Sequence, residues 1–109
     1  MAPRTFHPEL GSVDVINLLR AVADPVRLRV FDILDDGNEY TCSALAQRLD
    51  IPLPTMSYHL KTLREAGYTR SRKDGTTRWT SLRSDDLDGA FPGLRSTLST
   101  LAEASARQR

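Results

Sequence analysis

Cationic side chains are concentrated between residues 58 and 83 of this chain. The segment contains seven Lys or Arg and two Asp or Glu, a net charge of +5. Residues 1–57 carry a net charge of −3 and residues 84–109 a net charge of −1, although the whole chain is only +1. Such a local basic patch indicates a surface that binds a polyanion, and a solvated charged face is the alternative that charge alone leaves open.

A predicted helix from residue 54 to Gly67 carries the first part of this patch. Met56, Leu60 and Leu63 share one face of its helical wheel. The other positions offer hydroxyls, an aromatic ring and cations, which suit hydrogen bonds to base edges and phosphates. We predict nucleic-acid contacts from Thr55, Ser57, Tyr58, His59, Lys61, Thr62 and Arg64. At His59, which lies toward the apolar edge, packing and a phosphate contact are favoured over base readout.

The second part of the patch is a predicted β-hairpin. The runs "YTRSR" and "TTRWTSL" are rich in Thr, Tyr and Trp, and "KDGT" between them contains an Asp-Gly pair that favours a tight turn. Its cations are predicted to reach backbone phosphates or the minor groove, namely Arg70, Arg72, Lys73 and Arg78. Trp79 is expected in the core, with stacking on a partner as the alternative.

Three predicted helices precede this region and hold it in place. Residues 1–11 carry two prolines and a glycine and are predicted to form an arm. A helix over residues 13–22 has an apolar stripe, and Leu18 lies outside it, facing a second packing partner; the stripe consists of Val15, Ile16, Leu19, Val22 and Ala23. In "ADPVRLRVFDILDDG", Asp24 is the predicted N-cap before Pro25, and Gly37 follows the helix end. Thr41 is the predicted N-cap of the helix in "TCSALAQRLD".

The C-terminal region repeats large apolar residues at spacings of 4, 3, 4 and 3. These are Leu87, Phe91, Leu94, Leu98 and Leu101. The spacing is that of a heptad seam, which needs a partner surface. Pro92 and Gly93 interrupt it, so the region is expected to kink or to form two helices.

The element order predicts one mainly α domain over residues 12–106, with a small β-hairpin. Two short helices joined by a tight break, followed by a hairpin, match a winged helix-turn-helix of order α-α-α-α-β-β-α. No apolar run approaches the roughly 18 residues that span a bilayer, and the N-terminus lacks the apolar stretch of a signal peptide. A single cysteine cannot form an internal disulfide, which favours the cytoplasm.

Four segments resemble the ArsR/SmtB group of bacterial winged-helix regulators, over about residues 14 to 101. They are "ADPVRLRVFDIL", "CSALAQRLDI", "MSYHLKTLREAGYTRSRKDG" and "TRWTSL". The resemblance implies a sequence-specific transcription regulator, a homodimeric repressor that binds double-stranded operator DNA and is released by an effector such as a small molecule. Its first and last helices would form the dimer interface, through Val15, Leu18, Leu19, Leu87, Phe91, Leu94, Leu98 and Leu101. A winged-helix module that binds protein or RNA is the alternative.

The chain departs from that group at the start of the recognition helix. Many relatives have a small polar residue and a glutamine where this chain has Pro52 and Leu53. Because Pro54 disfavours helical geometry at Leu53, the helix is expected to begin at Pro54. Ser57 stands where the resemblance places a base-contacting serine, and Tyr58 occupies a position that is often basic.

The sequence shows no catalytic or metal-binding set. An enzyme would need a nucleophile with its base, paired carboxylates or metal ligands, and none is visible. Metal-sensing relatives carry a Cys-x-Cys pair that would align with Thr41 and Ser43 of this chain. The second common metal site of the family lies on the last helix and uses Asp and His, whereas residues 84–109 contain no His. We therefore predict no metal and no cofactor. Cys42 is expected to be a small core residue, with a reactive thiol of lowered pKa near a helix N-terminus as the alternative.

Overall fold

The computed structural model describes residues 8–108, and over this range the chain forms six α-helices and one antiparallel hairpin. In chain order the elements are a 3₁₀ turn at Leu10–Ser12, α1 at Val15–Val22, α2 at Pro25–Leu34, α3 at Cys42–Leu49, α4 at Leu53–Ala66, β1 at Thr69–Asp74, β2 at Thr77–Leu82, α5 at Ser84–Ala90 and α6 at Leu94–Arg107. The predicted winged helix-turn-helix fold is confirmed.

Acidic and hydroxyl side chains cap three of the helices. Asp24 Oδ1 accepts from the N–H groups of Val26 and Arg27, and Thr41 Oγ1 accepts from Ala44, as predicted. The first helix begins at Val15 and not at Val13, because Asp14 accepts from the Ile16 N–H and ends the preceding extended backbone.

The start of α4 differs by one residue from the prediction. The helix begins at Leu53, with Pro52 as an N-cap that makes no side-chain hydrogen bond. Pro54 is accommodated in the first turn because N–H groups there have no intrahelical acceptor. The penalty that Pro54 imposes on Leu53 is therefore tolerated, and the prediction of a start at Pro54 was wrong.

The buried face of α1 shares only Val22 with the stripe that the sequence indicated. Leu18, Ala21 and Val22 are buried, whereas Val15, Ile16 and Leu19 are about half exposed. Leu18 belongs to the core of the single chain, where α1 packs against α2 and α4, and the part of the stripe formed by Val15, Ile16 and Leu19 faces outward. This arrangement leaves an uncovered apolar surface on α1.

Part of the predicted arm packs against the domain. Residues 1–7 lie outside the described residues, but Leu10 is buried in the core. Leu10 lies against Gly67, which ends α4 with a φ of +107°. A side chain at Gly67 would be strained at that φ and would clash with Leu10, so this position requires glycine.

Tyr68 connects the end of α4 to the core. Its ring is fully buried edge-on to Phe31, with the ring centroids 5.9 Å apart. Its hydroxyl donates to the carbonyl of Leu18 at 2.7 Å, and burial raises the pKa of this phenol. The start of the hairpin is thereby tied to α1 and α2.

The hairpin pairs β1 with β2 in a register that runs from Thr69 opposite Leu82 to Asp74 opposite Thr77. Gly75 and Thr76 form the two-residue turn, and Gly75 has a φ of +62°. The turn is centred one residue later than the Asp-Gly pair, because Asp74 is already paired in the ladder. Glycine at the first central position is typical of a type II′ turn.

Trp79 is not in the core, and the prediction that placed it there was wrong. Thr80 and Leu82 form the buried face of β2, and strand alternation directs Trp79 to the opposite face, across from Arg72. The chain also adds a bridge that the sequence did not predict. Tyr40 and Thr80 exchange backbone hydrogen bonds of 2.9 and 2.8 Å, which anchors β2 beside α3.

The C-terminal region forms two helices, which was one of the two expected outcomes. Gly93 adopts a φ of +88° between α5 and α6. The Arg95 guanidinium binds Asp35 and Asp88 at 2.8–3.0 Å, which fixes the start of α6 against the end of α2 and against α5. Among the described residues, no helix is long and apolar enough to cross a membrane.

Candidate nucleic-acid interface

The outward face of α4 carries three unpaired polar side chains. Met56, Leu60 and Leu63 are buried at spacings of 4 and 3, so the opposite face is directed to solvent. Ser57, Tyr58 and Lys61 lie on that face, and Tyr58 is 63% exposed. Within residues 8–108, their side-chain polar atoms form no hydrogen bond or ion pair. This face can therefore bind an external partner without first breaking an internal contact.

Two other predicted residues of α4 lie on the flanks of this face. Thr55 is exposed at the helix start. Thr62 is partly buried, and its hydroxyl donates to the carbonyl of Tyr58 at 3.1 Å, one turn back along the helix. Its donor is therefore engaged locally, and Thr62 is a weaker candidate for nucleic-acid contact than the sequence indicated.

His59 is buried and contacts its own chain. Its Nδ1 lies 3.1 Å from Arg27 Nη1, and its ring meets Tyr58 edge-on with centroids 5.8 Å apart. The prediction that favoured packing over base readout agrees with this position, but assigning a nucleic-acid contact to His59 needs correction. The ring lies behind the outward face because position 59 falls close to the buried stripe on the helical wheel.

Two of the four predicted hairpin cations are already paired with carboxylates. Arg72 makes a bidentate contact to Glu39, with both N–O distances at 2.9 Å. The hydrogen bonds from Arg72 hold the pKa of Glu39 below its usual value. Arg70 binds Asp86 at 2.9 Å, and the buried Arg83 binds the same carboxylate oxygen at 3.1 Å. These pairs connect the hairpin to the rest of the domain.

The other two hairpin cations, Lys73 and Arg78, are exposed and face each other across the ladder. Within the described part of the chain, neither makes an ion pair or a side-chain hydrogen bond. They lie on the same face of the hairpin as Thr80, which is the face turned toward α4. The sequence alone could not show which of the four cations are paired, because their partners Glu39 and Asp86 lie outside the hairpin.

The segment between α3 and α4 sets their relative position. Asp50 ends α3 with a φ of +54°, and the N–H of Ile51 donates to Ala46 at 2.9 Å. A left-handed residue at a helix end is usually glycine or asparagine, and a short polar Asp is the next best tolerated. The sequence signal for this turn was present in "RLDIP", but the break was predicted from the two prolines of "DIPLP" and not from Asp50.

The predicted dimer-interface residues fall into three groups by exposure. Leu18, Leu87 and Leu98 are 2%, 0% and 4% exposed in the single chain, so they pack in its own core. Assigning them direct contact with a partner needs correction, because almost none of their surface remains to be covered. Phe91 and Leu94 are half-buried against the core.

On the first and last helices, the exposed apolar group consists of Val15, Ile16 and Leu19 on α1 and Leu101 on α6, each about half exposed. We call it the apolar patch. Val15, Leu19 and Leu101 were predicted for the interface. Ile16 was predicted for the apolar stripe of α1 but not for the interface, and it is exposed on the same helix as Val15 and Leu19. Its place in that stripe was the signal that could have identified it.

Cys42 is partly buried against the core at the start of α3. Burial raises the pKa of its thiol, so the alternative of a lowered pKa at the helix N-terminus is not supported. In the range 8–108, no three His, Cys, Asp or Glu side chains are grouped so that they could hold a metal ion.

Comparisons with known proteins agree with this geometry. Residues 22–68 match a family model described as a helix-turn-helix domain. The chain is 40% identical over 82 residues to the uncharacterized HTH-type transcriptional regulator YceK of Bacillus subtilis strain 168, covering 74% of this chain and 82% of YceK. It is 30% identical to an arsenical resistance operon repressor of Staphylococcus aureus, covering 74% and 77%.

Among solved structures, the ArsR family transcriptional regulator RHA00566 superimposes with a TM-score of 0.62 at 26% identity, covering 86% of this chain and 94% of that one. The residues matched by the family model include α3 and α4, and α4 carries the exposed polar face. The chain belongs to the ArsR/SmtB family of winged helix-turn-helix transcriptional regulators.

Proposed function

We propose that this chain is a homodimeric repressor that binds operator DNA through α4 and the hairpin. One observation carries the proposal: the outward face of α4 exposes Ser57, Tyr58 and Lys61, and no described residue occupies their polar groups. A helix with polar side chains on one face fits the major groove, where base edges present distinct hydrogen-bonding patterns.

The two surfaces have different roles in this proposal. Ser57 and Tyr58 on α4 read base edges, and Lys61 lies beside them. Lys73 and Arg78 on the hairpin bind backbone phosphates, because exposed, unpaired cations supply affinity without sequence information. Arg70 and Arg72 chiefly hold the hairpin in position, since their guanidinium groups are bound to Asp86 and Glu39.

The apolar patch supports the dimer. Val15, Ile16, Leu19 and Leu101 are large apolar residues, each about half exposed. A two-fold pairing of this surface would cover them and extend the small core of a 109-residue chain. Such a dimer would present two copies of α4 to two half-sites of an operator. We place the single domain at residues 12–106 and the protein in the cytoplasm, where operator DNA is found.

The effector that releases the operator is proposed to be a small molecule and not a metal ion. The ligand groups that soft metals require do not converge anywhere among residues 8–108. The S. aureus relative is named an arsenical resistance operon repressor. In this chain Cys42 provides one thiol, and no second cysteine is available to share a metal with it.

The test is footprinting of the protein on the DNA upstream of its own gene, followed by binding measurements across a salt series. We expect a protected, two-fold symmetric site, with an affinity that falls steeply as salt increases. Binding that is insensitive to both salt and sequence would contradict the proposal. That result would favour a winged-helix module that binds another class of partner.

A further inference from the structure

A small cleft between α4 and the hairpin has features of an anion site. Its volume is about 70 Å³, and its lining includes Arg64 from α4 and Arg78 and Thr80 from β2. Ser57 lies on the same lining, while Leu60 and Cys42 provide the apolar part. This volume is sufficient for a few water molecules or one small oxyanion.

The guanidinium of Arg64 makes no hydrogen bond or ion pair within residues 8–108. The Nε–H of Arg64 is buried and has no hydrogen-bond partner among the described residues. Buried polar groups are nearly always hydrogen-bonded, and an unpaired one in a cationic group is especially costly. Arg78 lines the same cleft and also has no partner within residues 8–108. Two guanidinium groups in one cleft repel each other unless an anion lies between them.

No negative charge in the lining opposes an anion. None of the lining residues is Asp or Glu. Burial raises the pKa of Cys42, which keeps its thiol neutral. Backbone hydrogen bonds between Thr80 and Tyr40 hold the Thr80 side of the cleft in place.

We propose that this cleft binds a single oxyanion of the phosphate type through Arg64 and Arg78. The oxyanion can come from two sources: free inorganic phosphate or a backbone phosphate of bound DNA. The DNA source rests on the proposed function, whereas binding of free phosphate does not. The two arms of the experiment separate these sources.

The first arm uses the full chain without DNA. The Nε–H signals of the arginines are recorded in a ¹H–¹⁵N NMR spectrum, and the Arg64 signal is assigned by its loss in Arg64→Lys. Sodium phosphate is titrated while chloride is removed to keep the ionic strength constant. For free phosphate we expect a saturable shift of the Arg64 signal. Arg78→Gln should raise the half-saturating concentration about tenfold, the loss expected for one charge-assisted contact. The matched control is Arg29→Gln, which removes an exposed arginine elsewhere on α2 and should leave the titration unchanged.

The second arm titrates the same sample with a random-sequence duplex and then with the operator. A shift of the Arg64 signal with duplex but not with free phosphate supports the site and assigns its phosphate to DNA. A saturable shift with free phosphate supports the site even if no duplex binds, and in that case only the proposed function fails. If the Arg64 signal responds to neither, or only drifts in parallel with the Arg29 signal, the anion site is refuted.

Discussion

Arg27 Nη1 lies 3.1 Å from Nδ1 of His59, so the start of α2 is bound to the middle of α4. Arginine has no acceptor, so Arg27 donates in this contact and Nδ1 of His59 accepts. Arg27 is held in turn, because its Nε donates to the carbonyl of Ala21 at 2.6 Å. The orientation of the DNA-facing helix thus depends on a contact behind it.

We predict that Arg27 and His59 are energetically coupled. Arg27→Ala, His59→Ala and the double variant should give a coupling free energy of about 1–3 kcal/mol in urea unfolding, as expected for a partly buried hydrogen bond from a charged donor. The double-mutant cycle cancels the free-energy cost of the cavity that His59→Ala creates, so only the interaction between the two side chains remains. All four proteins are compared at one concentration, because dimerisation links stability to concentration. Strictly additive losses would show that the contact contributes nothing.

The apolar patch can be tested without damaging the core. Leu19→Glu combined with Leu101→Glu places two charges on exposed positions, so we expect a folded monomer with native circular dichroism. Leu98→Glu is the contrasting variant: it buries a charge at a 4%-exposed position and should unfold the chain. Sedimentation equilibrium measures the mass. A Leu19→Glu, Leu101→Glu protein that remains dimeric would exclude the patch as the interface.

The Glu39–Arg72 pair competes with DNA for a hairpin cation. Glu39→Gln should release Arg72 and strengthen binding to operator and random DNA alike, with a salt slope steeper by about one unit. Glu103→Gln makes the same change in net charge at an exposed position on α6 and is the matched control. If both variants behave the same, the effect is due to net charge and not to the release of Arg72. Weaker binding in Glu39→Gln alone would mean that the loss of hairpin positioning by this pair outweighs the release of Arg72.

Metal ions are predicted to leave DNA binding unchanged. Stoichiometric Zn²⁺, Cd²⁺ or arsenite should alter operator affinity by less than about twofold, since Cys42 is the only cysteine and stable sites for such ions need several ligands. Fluorescence anisotropy measures the affinity. A loss of about tenfold or more that disappears in Cys42→Ser would contradict the prediction.

Local signals in the sequence were sufficient to predict most of the fold. The caps at Asp24 and Thr41, the two C-terminal helices and the hairpin follow from side chains that act within a few residues of themselves. The predicted start of α4 was one residue too late. The preference against helical geometry before a proline is weak, and a first helical turn tolerates proline. Trp79 was misplaced because strand alternation alone does not show which face of a hairpin meets the core.

The candidate site was predicted less completely than the fold. Periodicity identified the exposed face of α4, including Ser57, Tyr58 and Lys61. Periodicity could not show that Arg72 is paired with a carboxylate while Arg78 is not. Glu39 lies 33 residues before Arg72, and only the folded chain brings them together. The same limit applies to Leu98, which has heptad spacing but is covered by its own chain.

The measurement that tests the central account most directly is competitive fluorescence anisotropy on operator and random duplexes at several salt concentrations. Ser57→Ala and Tyr58→Ala should cost about 1–3 kcal/mol on the operator and little on random DNA. Lys73→Gln and Arg78→Gln should weaken both equally and make the salt slope shallower by about one unit each. Arg107→Gln, at the exposed end of α6, is the control for charge. If the hairpin variants lose the preference for operator while the α4 variants keep it, the hairpin reads the sequence and the account is contradicted.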